Sequence, residues 1–521
     1  MRSRFKAFLL PLMFPGTFLG AQQRVSAPRL IVAIAVDQFR PDYLDRWRSQ
    51  FSGGLAFLLR EGVFFPHGQQ DHAITETAPG HSTMMSGRSP ASTGIISNDL
   101  GVPDSTMPLI GSPAIGASPR RFLGTTLLDW ILARDPNTRS LSVSRKDRGA
   151  ILPMGRTVAP VFWFSLGRFT TSRYYADTLP RWVSQWNARD FADRLKGTSW
   201  TLTHPPAFYT EVDDRPFEAG GTDRVFPHPL PADSARTANR IIDFSVMDSL
   251  TLDFALTGIH ALKLGEREGT DFLSISLSST DAVGHKWGPG SLEVHEHVLN
   301  VDRWLGQFFD SLGRVVPLDR VVITLTADHG ATEFPEAGAG GRLDLASQVR
   351  AVNAWLKAHG DSTSRAITDG GLIFGNFKGA VAAGNNLDSL AASLAGEVSR
   401  LPGVRRVFTP ATLAKAKTTD LDAMRWRRQI APGFPWLVAV CVEEHWVFGS
   451  SKASTGHGTI NDDDVLVPLL FRIPGVPAAR VERRVRTIDI APTLAAILGI
   501  KPLQKVEGVP LPEVVRHAPH Y

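Results

Sequence analysis

Short runs of apolar residues, many of them β-branched, recur along the chain and predict the strands of a buried sheet. Four such runs stand out: LIVAIAV at Leu30–Val36, FLSISL at Phe272–Leu277, VVITL at Val321–Leu325 and VLVPLLF at Val465–Phe471. Strands that are covered on both faces by helices have nearly continuous apolar runs rather than alternating ones. We therefore predict that these four segments are buried parallel strands.

Amphipathic helical patterns lie between the predicted strands. In Leu387–Leu401 apolar residues recur every three or four positions and form one stripe. Strands that alternate with helices predict the α/β class, here a central, mostly parallel sheet sandwiched by helices. Two stretches interrupt this rhythm: residues 155–235, rich in Pro, Trp and Phe, and residues 335–450, a mixed α+β block. We expect both to be insertions that border or cap a site within one domain at residues 22–521.

The first 21 residues have the pattern of a secretory signal peptide. Basic residues at positions 2, 4 and 6 precede an apolar stretch from Ala7 to about Leu19, and Gly20 and Ala21 provide small residues at its end. The apolar stretch is short and contains two prolines, which disfavours a span across about 30 Å of hydrocarbon. An uncleaved anchor is the alternative. We expect export to the periplasm or the medium, with no stable membrane anchor.

Composition and charge narrow the classes of function. The 521 residues are 43% hydrophobic and 21% charged, as in ordinary globular proteins. The net charge of +5 is small and no basic stripe follows the N-terminus, so we do not expect nucleic-acid binding. The single cysteine, Cys441, excludes disulfides within the chain, cysteine-rich zinc sites and iron–sulfur clusters.

Aspartates follow three of the four predicted strands. Asp37 comes directly after the first, Asp281 shortly after the second with His285 four residues on, and Asp328 and His329 after the third. Ligands of open α/β sheets bind outside the carboxyl ends of the strands, so these side chains are expected to converge. One aspartate at such a point is often only a helix cap. The recurrence of the pattern favours a site.

These side chains form a suitable ligand set for metal ions. The cluster Ser454–Gly458, which contains His457, precedes the fourth predicted strand closely enough to fold over the same edge. Mixed carboxylate and imidazole ligands suit zinc and other borderline transition metals, whereas magnesium and calcium favour oxygen atoms alone. Three aspartates and three histidines are enough for two ions with open coordination positions.

A candidate nucleophile lies in the segment ITETAPGHSTMMSG at Ile74–Gly87. Pro79 is favoured in the first turn of a helix, which places Thr77 at or just before the helix N-terminus. Backbone N–H groups and the helix dipole favour a phosphate or an alkoxide at that position. Thr77 is either such a nucleophile or simply a helix cap, and this segment alone supports both readings equally.

These motifs together resemble the type I phosphodiesterase/nucleotide pyrophosphatase branch of the alkaline phosphatase superfamily. The similarity rests on T-x-P-x-H at Thr77–His81, the GIISN run that ends at Asn98, the strand-end ligands in their order and spacing, and the C-terminal segment Thr487–Gly499. It covers residues 30–512, interrupted mainly by the two insertions. The resemblance implies an alkaline phosphatase-like fold and a two-metal site for phosphate esters.

The resemblance also implies roles for individual residues. Thr77 would face one of two zinc ions and form a covalent phosphothreonine, and Asn98 would donate a hydrogen bond to a phosphoryl oxygen. Without the resemblance, Asn98 could equally be a turn residue. The six further metal ligands form two sets, one for each ion: Asp281, His285 and His457, and Asp37, Asp328 and His329.

The segment SRKDRGAIL at residues 144–152 bears on which ester is hydrolysed. It resembles the K-x-R element of periplasmic alkaline phosphatases with a threonine nucleophile, here Lys146 and Arg148. A monoester carries more charge and more free oxygens than a diester, so added cations favour it. If both residues are in a strand, their spacing places them on one face. In isolation, a solvated charged loop would be the simpler interpretation.

We therefore predict an alkaline phosphatase that hydrolyses small phosphate monoesters with two zinc ions and a phosphothreonine intermediate. The first alternative is a phosphodiesterase or nucleotide pyrophosphatase with the same metal ligands, in which Lys146 and Arg148 point away from the site. The second is a periplasmic binding protein that keeps the metal site and binds metal or phosphate without turnover.

Overall fold

A ten-stranded sheet forms the centre of the protein in the computed structural model, which describes residues 27–338, 340–361 and 363–518. The signal peptide predicted at residues 1–21 lies outside the described residues. In chain order the strands are β1 Leu30–Val36, β2 Val63–Gln69, β3 Ser140–Ser144, β4 Val161–Ser165, β5 Arg168–Thr170, β6 Ser199–Trp200, β7 His228–Pro229, β8 Asp271–Leu277, β9 Val321–Thr326, β10 Gly341–Leu343, β11 Arg365–Asp369, β12 Leu372–Asn376, β13 Val404–Phe408, β14 Trp436–Val442, β15 Trp446–Phe448, β16 Leu466–Arg472, β17 Ala479–Arg480 and β18 Val485–Arg486.

Helices connect these strands and flank the central sheet. Across the described ranges, none of them combines the length and the apolar composition needed to cross a bilayer. In chain order the α-helices are α1 Tyr43–Arg46, α2 Gly54–Glu61, α3 Thr77–Met84, α4 Pro90–Thr93, α5 Leu127–Arg134, α6 Asp147–Ile151, α7 Arg181–Asn187, α8 Phe191–Leu195, α9 Ser234–Arg240, α10 Val246–Leu262, α11 Ser279–Trp287, α12 Leu292–Gly313, α13 Ala346–Ala358, α14 Lys378–Ala382, α15 Leu387–Val398, α16 Pro410–Lys415, α17 Leu421–Gln429, α18 Asp462–Val465, α19 Ile490–Ile497 and α20 Pro512–Val515.

The central sheet is mostly parallel, as predicted. Its order is β17-β2-β16-β9-β1-β8-β3-β4-β5, with β18 also paired to β2. The neighbouring strands β9, β1, β8, β3 and β4 all run parallel, and every residue of β1, β8 and β9 is buried. The α/β class and three of the four predicted strands are therefore confirmed.

The parallel direction predicted for the fourth strand was wrong. The run at Val465–Phe471 forms β16, which is buried along most of its length but pairs antiparallel with both β9 and β2. The segment before it lies across the carboxyl ends of the parallel strands, where the main chain of Thr455 contacts His285. The chain therefore enters β16 at that edge and must run back. An apolar run indicates burial but carries no information about direction.

A smaller sheet lies within the predicted block at residues 335–450. Its strands have the antiparallel order β11-β12-β14-β13. The predicted helix at Leu387–Leu401 is observed as α15, which ends at Val398 and packs on one face of this sheet. The other face shares an apolar cluster with Ile74 and Ile96, which flank the Thr77 segment. This block therefore packs directly against the predicted nucleophile region.

Candidate active site

The three strand-end aspartates meet at the carboxyl edge of the parallel strands. Asp37 follows β1, Asp328 follows β9 two residues on, and Asp281 lies in the first turn of α11, after β8. The amide of Asp37 donates to the carbonyl of Leu277 at the end of β8, over 2.8 Å, so the two neighbouring strands end at the same level. All three carboxyl groups are buried. The predicted convergence of these residues is present in the structure.

One metal-sized cluster consists of Asp281, His285 and His457, whose possible ligand atoms lie within 4.8 Å of one another. Nε2 of His285 is 3.1 Å and Nε2 of His457 is 3.5 Å from Oδ1 of Asp281. Each Nδ1 is 2.7 Å from a carbonyl oxygen, that of Thr455 for His285 and that of Thr75 for His457. Such contacts fix the ring and its tautomer and leave Nε2 available to a metal.

The second cluster consists of Asp37, Asp281 and His329, again within 4.8 Å. The resemblance had implied Asp328 in place of Asp281. Asp328 lies beside this cluster, with Oδ2 3.7 Å from Nε2 of His329, while its Oδ1 accepts from the amides of Gln38 and His329 at 3.1 Å. Asp281 therefore stands between the two clusters, and Asp328 is within reach of the second.

Several buried polar atoms in and beside the second cluster make no hydrogen bond of good geometry. They are both carboxylate oxygens of Asp37, Oδ2 of Asp328 and Nε2 of His329, although Nζ of Lys146 lies 2.7 Å from Oδ2 of Asp37 and Nδ1 of His81 lies 3.2 Å from Oδ2 of Asp328. Nδ1 of His329 is 2.9 Å from the carbonyl of Gly330, so the free Nε2 faces the carboxylates. Unsatisfied buried donors and acceptors are costly, and a divalent cation would satisfy these atoms together. The mixed oxygen and nitrogen donors fit zinc.

Thr77 is the first residue of α3, and Pro79 is the third, as the sequence predicted. The capping position belongs to Glu76, in extended conformation, so the Thr77 hydroxyl does not serve as the helix cap. Thr77 is almost fully buried. Nζ of Lys146 lies 3.0 Å from its Oγ1.

Lys146 points into the site rather than away from it. Besides Thr77, its Nζ contacts Oδ2 of Asp281 at 2.6 Å and Oδ2 of Asp37 at 2.7 Å. Lys146 caps α6, and Arg148 is the second residue of that helix, so the strand placement considered for this pair is wrong. β3 ends at Ser144, and the negative charge of Asp147 in the first turn of α6 favours a helix start here.

Arg148 and Asn98 lie beside the N-terminus of α3. Oδ1 of Asn98 accepts from the amide of Ala78 at 2.9 Å, and its own amide donates to Glu76 at 2.9 Å. Nε of Arg148 is buried without a partner, and its charge acts on Glu76. Burial and a hydrogen-bonded carboxyl partner, Asp369 of β11, raise the pKa of Glu76 well above its ordinary value.

The titratable groups of the site differ in the direction in which their pKa values are shifted. Burial alone would raise the pKa of Asp281, but the Lys146 and His285 charges outweigh it and hold this pKa well below its ordinary value. Burial and the neighbouring Asp328 raise the pKa of Asp37. Burial and His457 lower the pKa of His329 well below its ordinary value, so its ring is neutral and can bind a metal.

Two positioning residues of the site, His81 and Gln38, were not predicted from the sequence. Nδ1 of His81 is 2.9 Å from the carbonyl oxygen of Thr77 and 3.2 Å from Oδ2 of Asp328. Nε2 of Gln38 donates to Oδ1 of Asp281 at 3.1 Å. The i, i+4 spacing of Thr77 and His81 was a usable signal for the first. For Gln38, the only signal in the sequence is its position directly after Asp37.

Comparison with known proteins assigns the family. The family model described as type I phosphodiesterase / nucleotide pyrophosphatase matches residues 31–463. The chain belongs to this family. Within the alkaline phosphatase superfamily, this branch was the one that the sequence motifs resembled.

Several relatives in this family are similar over nearly the whole chain. Alkaline phosphatase PhoV of Synechococcus elongatus is 31% identical over 95% of this chain and 93% of its own. Alkaline phosphatase PafA of Elizabethkingia meningoseptica is 30% identical over 98% of this chain and 99% of its own. Alkaline phosphatase PhoK of a Sphingomonas species is 33% identical over 92% of this chain and 90% of its own.

Solved structures agree on the fold. The crystal structure of wild-type alkaline phosphatase PafA superposes with a TM-score of 0.86 at 28% identity, covering 94% of this chain and 99% of that one. Human ectonucleotide pyrophosphatase/phosphodiesterase 5 gives a TM-score of 0.53 at 14% identity, over 94% of this chain and 99% of that one, and shows the shared fold alone.

Proposed function

We propose that this chain is an alkaline phosphatase, which hydrolyses small phosphate monoesters. Relatives of that name cover nearly the whole chain at about 30% identity. The observation that carries the proposal is the position of Lys146, whose ammonium lies next to the Thr77 hydroxyl and between two carboxylates. A cation in that place favours the doubly charged monoester over a diester.

Two zinc ions fit the ligand atoms, and we assign them as in the family pattern. Bound zinc would supply positive charge for reacting oxygen atoms and lower the pKa of a coordinated hydroxyl group. The buried atoms of Asp37, Asp328 and His329 that lack hydrogen-bond partners support the second set of ligands. The first set comprises Asp281, His285 and His457.

The chain's own groups account for the remaining requirements of phosphoryl transfer. Thr77 Oγ1 attacks phosphorus as the bond to the leaving alcohol breaks, giving a phosphothreonine that water then hydrolyses to inorganic phosphate. The hydroxyl proton of Thr77 passes to solvent as the oxygen attacks, and the leaving alkoxide takes up a proton from solvent. Thr77 begins α3, where the helix dipole favours the negative charge that develops on its oxygen.

The remaining polar groups hold the transferred phosphoryl oxygens. Once cations bind at Asp37 and Asp281, the Lys146 ammonium is free to pair with the extra negative charge of a monoester phosphoryl group. Arg148 presents a planar fork for two oxygens, and Asn98 presents an amide. Asn98 is fixed by its contacts with Ala78 and Glu76.

Kinetics on paired substrates test this proposal. The zinc-loaded enzyme should turn over an aryl phosphate monoester far faster than the matching diester. In a Lys146→Ala/Arg148→Ala double variant, the monoester kcat/KM should fall by about 10²–10³ while the diester rate is largely kept. Arg168→Ala, an exposed cation in β5, is the matched control. A diester preference that the double variant leaves unchanged would instead assign phosphodiesterase activity, which the family model's name also suggests.

We further propose that the block at residues 335–450 caps the site and that residues 1–21 direct export. The turn after β11 supports the cap, because Asp369 reaches Glu76 and Gly370 packs against Ile74. N-terminal sequencing of the mature protein recovered from the periplasm or the medium should begin after Ala21. Retention of the uncleaved chain in the membrane fraction would contradict export as a free enzyme.

A further inference from the structure

A second group of acidic residues, two buried and three half-buried, lies at the far end of α11 from Asp281. Here residues 209–230, within the insertion at residues 155–235, pack against the C-terminal end of α11 and the first turn of α12. The acidic residues that meet here are Asp213, Glu218, Asp223, Glu293 and Glu333.

Glu218 and Glu293 carry the inference. Both side chains are fully buried, and neither oxygen of Glu218 has a hydrogen-bond partner. Nε of Arg215 comes no closer than 3.8 Å to Glu218, and another nitrogen of this guanidinium donates to the carbonyl of Gly290 at 3.2 Å. Oε2 of Glu293 is also without a partner. Three buried carboxylate oxygens therefore lack a donor.

The other basic groups of this cluster are already paired. Nδ1 of His228 lies 2.8 Å from Oδ1 of Asp223, and Nε2 lies 3.0 Å from Oε1 of Glu293. Lys286 pairs with the second oxygen of Asp223. None of these cations is left to serve the unpartnered oxygens.

A proton satisfies only part of this arrangement. Burial raises the pKa of Glu218 to about 9, and repulsion from Glu293 and Glu333 adds to the effect. One proton on Glu218 neutralises that carboxyl group but brings no positive charge to Glu293, whose Oε2 is also unpartnered. A cation held between the two carboxylates would neutralise both.

We propose that Glu218 and Glu293 bind a hard divalent cation of the calcium type. The free donors are all oxygen atoms, since both nitrogens of His228 are engaged, and oxygen ligands favour calcium over zinc. Glu333 adds negative charge near Glu218, and bound water would complete the coordination of such an ion. The Glu333 carboxylate packs where side chains on Gly288, which has a φ of +95°, and Gly290 would otherwise lie.

The cation would join the insertion to the two helices. Glu218 belongs to the insertion and Glu293 to α12, while Lys286 and Trp287 of α11 already contact Asp223. Bound calcium would therefore stabilise the end of the helix that carries His285. It would contribute to stability rather than to the chemical step.

Terbium luminescence on the zinc-loaded full-length protein tests this site. The ring centroid of Trp287 lies 4.6 Å from that of His228 and 5.9 Å from that of Trp200. Excited tryptophan can therefore sensitise a Tb³⁺ ion bound at this site. We expect sensitised emission that added Ca²⁺ abolishes, and one calcium per chain in equilibrium dialysis. The midpoint of thermal unfolding should rise with Ca²⁺.

The variants give the decisive comparison. Glu218→Gln/Glu293→Gln should weaken Ca²⁺ binding at least about 100-fold and remove the calcium-dependent rise in the unfolding midpoint. Asp361→Asn, another buried carboxylate with an unpartnered oxygen, should bind Ca²⁺ as wild type does. The single variant Glu218→Gln, which keeps the shape and removes one charge, serves if the double variant does not fold.

Two results would overturn the proposal. One is the absence of a calcium ion on the wild-type protein at millimolar Ca²⁺. The other is Ca²⁺ binding that the Glu218→Gln variant retains at full affinity. Because every sample is zinc-loaded and the readouts are binding and unfolding, these results are independent of whether the chain hydrolyses monoesters or diesters.

Discussion

Nζ of Lys146 lies 3.0 Å from Oγ1 of Thr77 while also contacting Asp37 and Asp281. One ammonium group thus bridges the candidate nucleophile and both clusters of metal-binding side chains. Without metal it is the cation closest to two buried carboxylates, so the charge balance of the site depends on it. We therefore expect Lys146 to contribute to stability in the metal-free protein and to catalysis in the metal-loaded protein.

Replacing Lys146 by methionine should therefore destabilise the metal-free protein more than the zinc-loaded protein. Removing one partner from a buried ion pair typically costs about 3–5 kcal/mol, and bound cations would offset that cost. Thermal unfolding with chelator and with excess zinc measures both values. Lys452→Met, at an exposed position, is the control. Equal losses in the two conditions would show that zinc does not neutralise these carboxylates.

Gly80 is expected to tolerate no side chain. A Cβ at this position in α3 would overlap the carbonyl oxygen and Cβ of Asp328. Gly80→Ala should therefore push α3 from the end of β9, costing about 1–3 kcal/mol of unfolding free energy and weakening zinc retention. Gly396→Ala in α15, where a Cβ meets no atom within 4 Å, should instead be neutral or stabilising by up to about 1 kcal/mol. Denaturant unfolding compares the two, and an equal response would contradict the close contact.

His81 should act through Asp328 rather than by touching the substrate. Burial raises the pKa of Asp328, but the adjacent His81 ring outweighs it and lowers this pKa. His81→Ala removes that partner, so zinc affinity should fall about 10–100-fold, measured by competition with a chromogenic chelator. His81→Gln, which keeps a donor, should recover part of it. Exposed His67→Ala is the control, and unchanged zinc affinity in His81→Ala would refute the assignment.

The buried Asp248 of α10 should make stability depend on pH. Burial raises the pKa of this carboxyl group to about 7, against 3.8 in an ordinary aspartate. Between these values the folded protein keeps a proton that the unfolded chain has lost. The contribution of Asp248 to the unfolding free energy is therefore greatest below pH 3.8 and decreases as pH rises to about 7.

Asp248→Asn removes this titration and should keep the hydrogen bond from the amide of Ser279. The fall in unfolding free energy between about pH 5 and pH 8 should shrink by roughly 2–3 kcal/mol relative to wild type. Denaturant unfolding at both pH values measures the change. Asp310→Asn, on the exposed side of α12, should leave the wild-type slope intact. An unaltered slope in Asp248→Asn would show that Asp248 is ionised in the folded state.

The sequence predicted the frame of the site because apolar runs and strand ends are local signals. β1, β8 and β9 follow directly from their composition, and the convergence of Asp37, Asp281 and Asp328 follows from the geometry of parallel strands. The helix start at Thr77 followed from a proline three residues into the helix, whose fixed φ suits a first turn.

What the sequence did not predict depends on contacts between distant segments. The antiparallel direction of β16 is set by the loop before it, and the helical placement of Lys146 by the early end of β3. The contact of His81 with Asp328 crosses between α3 and the end of β9. Asp281 stands between both metal-sized clusters, because two sets of ligands meet in three dimensions and not along the chain.

The loop that precedes β16 has a consequence for how the protein matures. Nδ1 of His457 contacts the carbonyl oxygen of Thr75, 382 residues earlier in the chain, and this contact orients the ring so that Nε2 faces Asp281. Contacts of such long range form late, because closing a long loop costs conformational entropy until the intervening chain has folded. A nascent or truncated chain that lacks this segment would leave one cluster without its last imidazole. Tight retention of metal would therefore report that folding has reached its end.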